Sequence, residues 1–156
     1  MRTLLGNVAL GVGWAAITEF KVSNMLVGFV LGYFILWASP TVAERNPYFS
    51  RVRQLVGFVL FFFKELSVAT LRISYDVLTP THRMTPAVIG IPLEARTPGE
   101  ITFLALVVSL TPGTLALDVS SDRRVLYIHA MYAADPEAVR RGIKQGFERR
   151  ILELLR

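Results

Sequence analysis

At 156 residues the chain has room for one modest domain and a few extra helices. It is 53% hydrophobic and only 19% charged, against roughly one quarter charged in ordinary soluble domains. It has no cysteine, which excludes disulfides, thiol catalysis and Cys-ligated metal, and His82 and His129 are too few and too scattered for a zinc site. The net charge of +5 is not a nucleic-acid footprint. Residues 79–156 carry ten Lys/Arg against eight Asp/Glu, and residues 1–78 seven against four. The excess sits beside the apolar segments, where cations mark the cytoplasmic side of a membrane, and no concentrated basic face exists.

Thr3 to Thr18 is an uncharged run of 16 residues, and Val22 to Ala43 is another of 22. The first is slightly short for a bilayer core of about 30 Å, and Arg2 and Glu19 reach toward the interfaces at its ends. The second is ample, with Tyr33, Phe34 and Trp37 near its C-terminal end, as interfaces favour. The Glu19-Phe20-Lys21 connector is so short that a tight antiparallel membrane hairpin is expected over 1–43. Gly6, Gly11 and Gly13 on one helix, with Gly28 and Gly32 on the other, allow close approach. A cleaved signal peptide over 1–18 is disfavoured by the second apolar run that follows almost at once.

Residues 44–78 hold a basic loop with Arg45, Arg51 and Arg53, then an apolar region with Lys64, Glu65, Arg72 and Asp76 inside it. At about 100° per residue, Arg51, Gln54, Phe58, Phe61, Glu65, Arg72 and Asp76 fall on one stripe. Charges in lipid cost roughly 2.5–3.5 kcal/mol each even on lenient insertion scales. The reading favours an amphipathic helix lying in the interface over a third membrane helix. The basic loop places the N-terminus and, with an interfacial helix, the C-terminal domain in the cytoplasm. The stripe of Glu65, Arg72 and Asp76 reads as a solvated face or, more sharply, as a docking face for charged groups on neighbouring subunits.

Residues 79–156 read as a small cytoplasmic α+β domain of order β-α-β-β-α. Val88 to Leu93 is an edge strand, since Pro92 has no N–H to donate. Pro98 and Glu100 open a helix running to about Leu110. Thr114–Ser120 and Arg124–Met131 alternate as a hairpin turning at Ser121-Asp122. In the expected register Leu117 faces Leu126, Leu115 faces Ile128 and Thr114 faces His129, with Leu115, Leu117 and Val119 on the apolar side. Asp118 and His129 then share the other face. Asp135 as N-cap and Pro136 start the last helix, whose apolar stripe is Val139, Ile143, Phe147, Ile151 and Leu154/Leu155, with Glu148 among the polar decoration.

No catalytic constellation emerges, and the chain is expected not to be an enzyme and to hold no cofactor or metal. Thr111 and Thr114 flank the Pro112-Gly113 turn without an evident base. Thr111-Pro112-Gly113-Thr114 has one Gly, no following Lys, and precedes a strand, so it fails the phosphate-loop pattern. The two uncharged runs offer no ionisable group for an ion path.

Several stretches together resemble the E subunit of the Mrp/Mnh (Pha) multisubunit Na+/H+ antiporters, over nearly the whole chain. They are Phe63-Lys64-Glu65-Leu66, Ile89-Gly90-Ile91-Pro92-Leu93, Glu100-Ile101-Thr102, Leu110-Thr111-Pro112-Gly113-Thr114, Asp118-Val119-Ser120, Leu126-Tyr127-Ile128-His129 and the closing Gly146–Glu153 segment. Leu106 departs from the Asn of many members. The resemblance implies a non-catalytic accessory or assembly subunit of a prokaryotic cell-membrane complex that exchanges cytoplasmic Na+ for external H+. Its partners would be the other subunits and membrane lipid, not nucleic acid or a small-molecule substrate. The Thr111–Thr114 turn, Asp118 and His129 would stabilise the domain or touch partners. The competing readings are a membrane-anchored binding or sensing module outside any transporter and a homo-oligomeric channel built from the hairpin.

Overall fold

The computed structural model describes residues 2–39, 47–80 and 84–156. Glu44, Arg45 and His82, which entered the sequence reading, lie outside them. The chain forms two compact units, Met1–Arg53 and Gln54–Arg156.

In the first unit α1 (Arg2–Ile17) and α2 (Val22–Trp37) run antiparallel, each 16 residues long. α2 stops short of the apolar run that encodes it, because the helical conformation is disfavoured for Ser39 ahead of Pro40. Three glycines bring the backbones together. A Cβ added at Gly11 would lie 3.2 Å from Met25 O, and one at Gly28 would lie 2.5 Å from Trp14 Cβ and 3.0 Å from the Gly11 backbone. At Gly32 it would strike the Asn7 carboxamide. Gly6 and Gly13, expected to share this role, face open space. Beside this seam Asn7 is fully buried and its Nδ2 donates to Tyr48 Oη at 2.8 Å. Tyr33 packs its ring against Tyr48 and Phe49 at 6.0 and 5.3 Å. Most other side chains of both helices, including Leu5, Ile17, Leu26 and Ile35, are apolar and exposed.

The second unit is built on a three-stranded antiparallel sheet of order β1-β3-β2, with β1 at Ala87–Pro92, β2 at Thr114–Val119 and β3 at Val125–Ala130. β1 pairs Ile89 with Ile128 and Ile91 with Leu126, and these four residues are buried on the helix-covered face. α3 (Pro47–Leu78) enters this unit from Gln54 onward. α4 (Pro98–Leu110) opens with a capping box, Thr97 accepting from Glu100 N while Glu100 caps the Thr97 N–H. It buries Ile101, Leu104, Val107 and Val108. Leu106 is exposed.

The closing segment comprises α5 (Pro136–Arg141), a π-helical turn (Gly142–Glu148) and α6 (Arg149–Leu155). Val139, Ile143, Phe147 and Ile151 recur every four residues, so in a pure α-helix their stripe drifts about 40° per step. The wider turn adds a residue to the repeat and places both Phe147 and Glu148 inside. Glu148 is thus buried to 1% rather than part of the polar decoration.

The hairpin register also differs from expectation. Thr114 pairs with Ala130, Leu115 with His129 and Ala116 with Ile128; past a bulge at Leu117, Asp118 pairs with Tyr127 and Val119 with Leu126. Leu115 and Leu117 are therefore half-exposed on the outer face, while Thr114, Ala116 and Val119 turn inward. Turn chemistry decided this. Ser120 Oγ donates to Asp122 and accepts from Arg124 N and Val125 N, and Arg123 adopts φ 58°, so the connection is longer than a two-residue turn.

Replacing Gly28 by Leu should overpack the α1–α2 seam and cost about 1–3 kcal/mol. In detergent its thermal midpoint should fall well below that of Gly13→Leu, which meets open space.

Candidate functional site

α3 has two unlike faces within the second unit. Phe58, Phe61 and Phe62 join the hydrophobic core, with Phe58 against Phe103 and Phe61 against Phe147 at ring distances of 5.8 and 5.2 Å. Arg150 stacks over Phe61 at 4.1 Å. About one to four turns further on, the same face carries Glu65, Ala69, Arg72 and Asp76. The expected charged stripe is therefore turned toward the chain's own domain. Asp76 is 2% exposed and accepts a 2.8 Å hydrogen bond from Tyr132 Oη. Burial, and then the hydrogen bond to the Asp76 carboxylate, push the Tyr132 hydroxyl above its usual range, so Tyr132 stays a donor at neutral pH. Arg72 sits exposed with its guanidinium 5.3 Å from the Tyr132 ring centre.

Glu65 and Arg72 meet the Thr111–Thr114 turn across a cavity of about 460 Å³. Val108, Ala130, Val139, Ile143 and Phe147 supply its apolar walls. The turn is held from within. Thr111 Oγ1 donates to Val107 O at 3.1 Å, and Thr114 Oγ1 donates to Val108 O at 2.7 Å. Gly113 takes φ +90°, which a side chain would strain, and its carbonyl accepts from Met131 N at 2.8 Å. Both hydroxyl protons are committed to backbone carbonyls, so neither threonine is poised as a nucleophile. Asp118 and His129 stand apart from this cavity, on the outer sheet face among exposed Val88, Leu115, Leu117 and Tyr127.

The sequence reading missed a second polar cluster. Glu148 Oε1 accepts from Glu94 N at 2.6 Å and Ala95 N at 2.9 Å, while Glu100 Oε2 accepts from Arg96 N at 2.8 Å and Thr97 N at 3.2 Å. Two carboxylates thus satisfy four consecutive backbone donors in the loop between β1 and α4. Arg156 closes the cluster on Glu100 at 3.0 Å. That guanidinium, together with the Arg96 and Thr97 N–H groups, holds the Glu100 carboxyl down at about 2. The capping-box spacing announces Glu100. Glu148 lies 53 residues or more from its partners, and no local pattern marks it.

The sequence matches the Na+/H+ ion antiporter subunit family (MNHE) over residues 7–154. The chain belongs to this family. It is 34% identical to the E subunit of the Na+/H+ antiporter of Alkalihalophilus pseudofirmus over 152 residues, 97% of this chain and 96% of that one. It is 32% identical to the corresponding E subunit of Bacillus subtilis over 154 residues, 98% of each. Among solved structures it resembles a chain of the Mrp complex from Dietzia sp. DQ12-45-1b, with TM-score 0.51 and 26% identity over 65% of this chain and 96% of that one. A chain of the membrane-bound sulfane sulfur reductase, an archaeal respiratory membrane complex, shares the fold at TM-score 0.53 and 20% identity over 96% of both. The antiporter-subunit family places the protein in a membrane complex.

Two tests follow from the carboxylate cluster. Glu148→Ala strands the Glu94 and Ala95 donors and should cost about 1–3 kcal/mol in chemical denaturation. Because the Glu100 carboxyl is lowered from 4.5 to about 2, its stabilisation is complete above pH 4.5 and is lost as pH falls toward 2. The thermal midpoint of Arg156→Met should therefore fall less over that window than that of the unaltered protein.

Proposed function

We propose that this family member is a non-catalytic accessory and assembly subunit of a multisubunit antiporter that exchanges cytoplasmic Na+ for external H+. The observation that carries this reading is where the ionisable groups near the membrane are spent. Asp76 is buried on Tyr132 and Arg72 stacks on the same ring, while the one buried polar side chain of α1 among the described residues, the uncharged carboxamide of Asn7, is bonded to Tyr48. α1 and α2 carry no acidic residue. Translocation then belongs to the partner subunits, and this chain serves the complex through its shape.

The same groups support a topology. α1 and α2 form the transmembrane hairpin within residues 1–43. α3, in 44–78, is long and apolar enough to cross a membrane by length and composition. From Phe58 to Asp76, about 28 Å of helix, its inner face is nonetheless occupied by the domain and by charged Glu65, Arg72, Asp76 and Arg150. Drawing those groups into the bilayer would cost roughly 2.5–3.5 kcal/mol for each unneutralised charge. The opposite face carries Val56, Leu60, Phe63 and Leu71, all exposed. Its hydroxyls are bonded back to their own helix, Ser67 to Phe63 O and Thr70 to Leu66 O at 2.8 and 2.7 Å, which suits an apolar surrounding. α3 therefore lies along the interface, apolar face down, and residues 79–156 stay in the cytoplasm. Thr111–Thr114 is an architectural turn, and the outer sheet face with Asp118 and His129 meets a neighbouring subunit.

Affinity purification of the tagged chain after gentle extraction should bring down large polytopic subunits, and its deletion should abolish or sharply reduce Na+/H+ exchange by the complex. An isolated chain that exchanges Na+ for H+ in proteoliposomes would sink the accessory role. A cysteine in place of Ser121, in the exposed β2–β3 turn, should resist impermeant thiol reagents in intact cells and label after permeabilisation. Labelling from outside would instead favour a third span.

A further inference from the structure

We infer that the cavity between α3, the Thr111–Thr114 turn and α5 is a lipid site that takes an acyl chain of an anionic phospholipid, with its phosphate on Arg72. The inference rests on the interfacial placement of α3. At about 460 Å³ the cavity is in the range of small-molecule sites, and it is walled mainly by Val108, Ala130, Val139, Ile143 and Phe147. Its rim is continuous with the membrane-facing side of α3. Val68 lines the cavity and is 46% exposed, and at about 100° per residue it lies on the flank between the inner face of Glu65 and Arg72 and the outer face of Leu60 and Leu71. A chain resting on the outer face thus enters over Val68 without crossing a polar barrier.

The polar atoms around the cavity select the headgroup. Thr111 and Thr114 have committed their protons to carbonyls, and Asp135 accepts from Glu137 N and Ala138 N as the helix cap. Glu65 lies 3.9 Å from Lys64 across an ion pair. Arg72 alone among the charged lining residues has no ion pair among the described residues. Its guanidinium is exposed at the rim, one side laid on Tyr132. A planar cation with open N–H donors beside an apolar slot fits a phosphate monoanion attached to a hydrocarbon chain. Glu65 lies seven residues, about 10 Å of helix, away from that position. It marks the opposite end of the slot.

The test uses the intact complex in vesicles of phosphatidylcholine containing phosphatidylglycerol with a diazirine in its acyl chain. After irradiation, adducts should map to Val108, Val139 and Ile143 as well as to Leu60 and Leu71. Ala138→Trp and Ala134→Trp, both at exposed positions lining the slot, should each remove the cavity adducts and leave those on Leu60 and Leu71. Two variants guard against one misfolding. Arg72→Gln should lower the preference for phosphatidylglycerol over a diazirine phosphatidylcholine about fivefold, as expected for one lost cation near an anionic lipid. Adducts on Leu60 and Leu71 with none in the cavity overturn this inference and spare the interfacial helix. Absence of adducts on Leu60 and Leu71 overturns the interfacial helix itself. Cavity adducts seen only when the chain is separated from its partners assign the slot to a partner's side chain. Equal labelling by a diazirine fatty acid, indifferent to Arg72→Gln, refutes the phospholipid headgroup.

Discussion

The structure of the second unit depends on one constraint: α3 must satisfy a charged and aromatic face and an apolar face at once. Phe58, Phe61 and Phe62 are drawn into the domain core, and Asp76 is buried only because Tyr132 meets it. An unpaired carboxylate there would carry a desolvation cost that the surrounding packing does not offset. The partners on the domain side fix the rotation of the helix, and that rotation leaves Val56, Leu60, Phe63 and Leu71 without cover. The exposed apolar row is a consequence of the inner contacts, and a chain held this way has an apolar row to present to lipid or to a neighbour in a complex.

The Thr111–Thr114 turn follows from the same frame. α4 must end where β2 begins; Thr111 and Thr114 cap its last carbonyls and Gly113, at φ +90°, lets the chain reverse within four residues. At the other end of α4, Glu100 and Glu148 collect four successive N–H groups of the incoming loop. α4 is therefore clamped at both ends by side chains of its own domain. The hydroxyls and carboxylates that a catalytic reading would seize upon are consumed in holding one short helix against the sheet.

Legibility of these features in the sequence varied with the range of the interaction. The apolar runs of α1 and α2, the Asp135-Pro136 start and the Pro98/Glu100 start of α4 are local signals, and each marks a helix that forms. The hairpin register was not legible, because alternation alone favours Leu115 and Leu117 inside, whereas Ser120, Asp122 and a left-handed Arg123 lengthen the turn and a bulge at Leu117 absorbs the difference. The angular stripe of α3 was legible as geometry but not as to what it faces: a period of about 3.6 residues does not say whether a charged stripe meets water, a neighbour or its own domain. Glu148 was hidden for a further reason. The π-helical turn changes the repeat in mid-helix, and a projection at fixed angle puts its carboxylate on the wrong side.

The two units also answer to different physics. Between helices in lipid there is little hydrophobic drive, since the tails are as apolar as the side chains, and association rests on close packing. Gly11, Gly28 and Gly32 supply such close packing between α1 and α2, and beside them Asn7 places its amide against Tyr48 with its oxygen buried beside Gly32 and without a hydrogen-bond partner among the described residues. In such a seam a methyl group matters more than a charge. The Gln54–Arg156 unit instead buries Ile91, Leu104, Leu126, Ile128 and Ile151 in a hydrophobic core, and orders its edges with ionised side chains. Acid that neutralises Glu100 therefore loosens the second unit through a group that has no counterpart in the α1–α2 seam, where shape alone sets the contact.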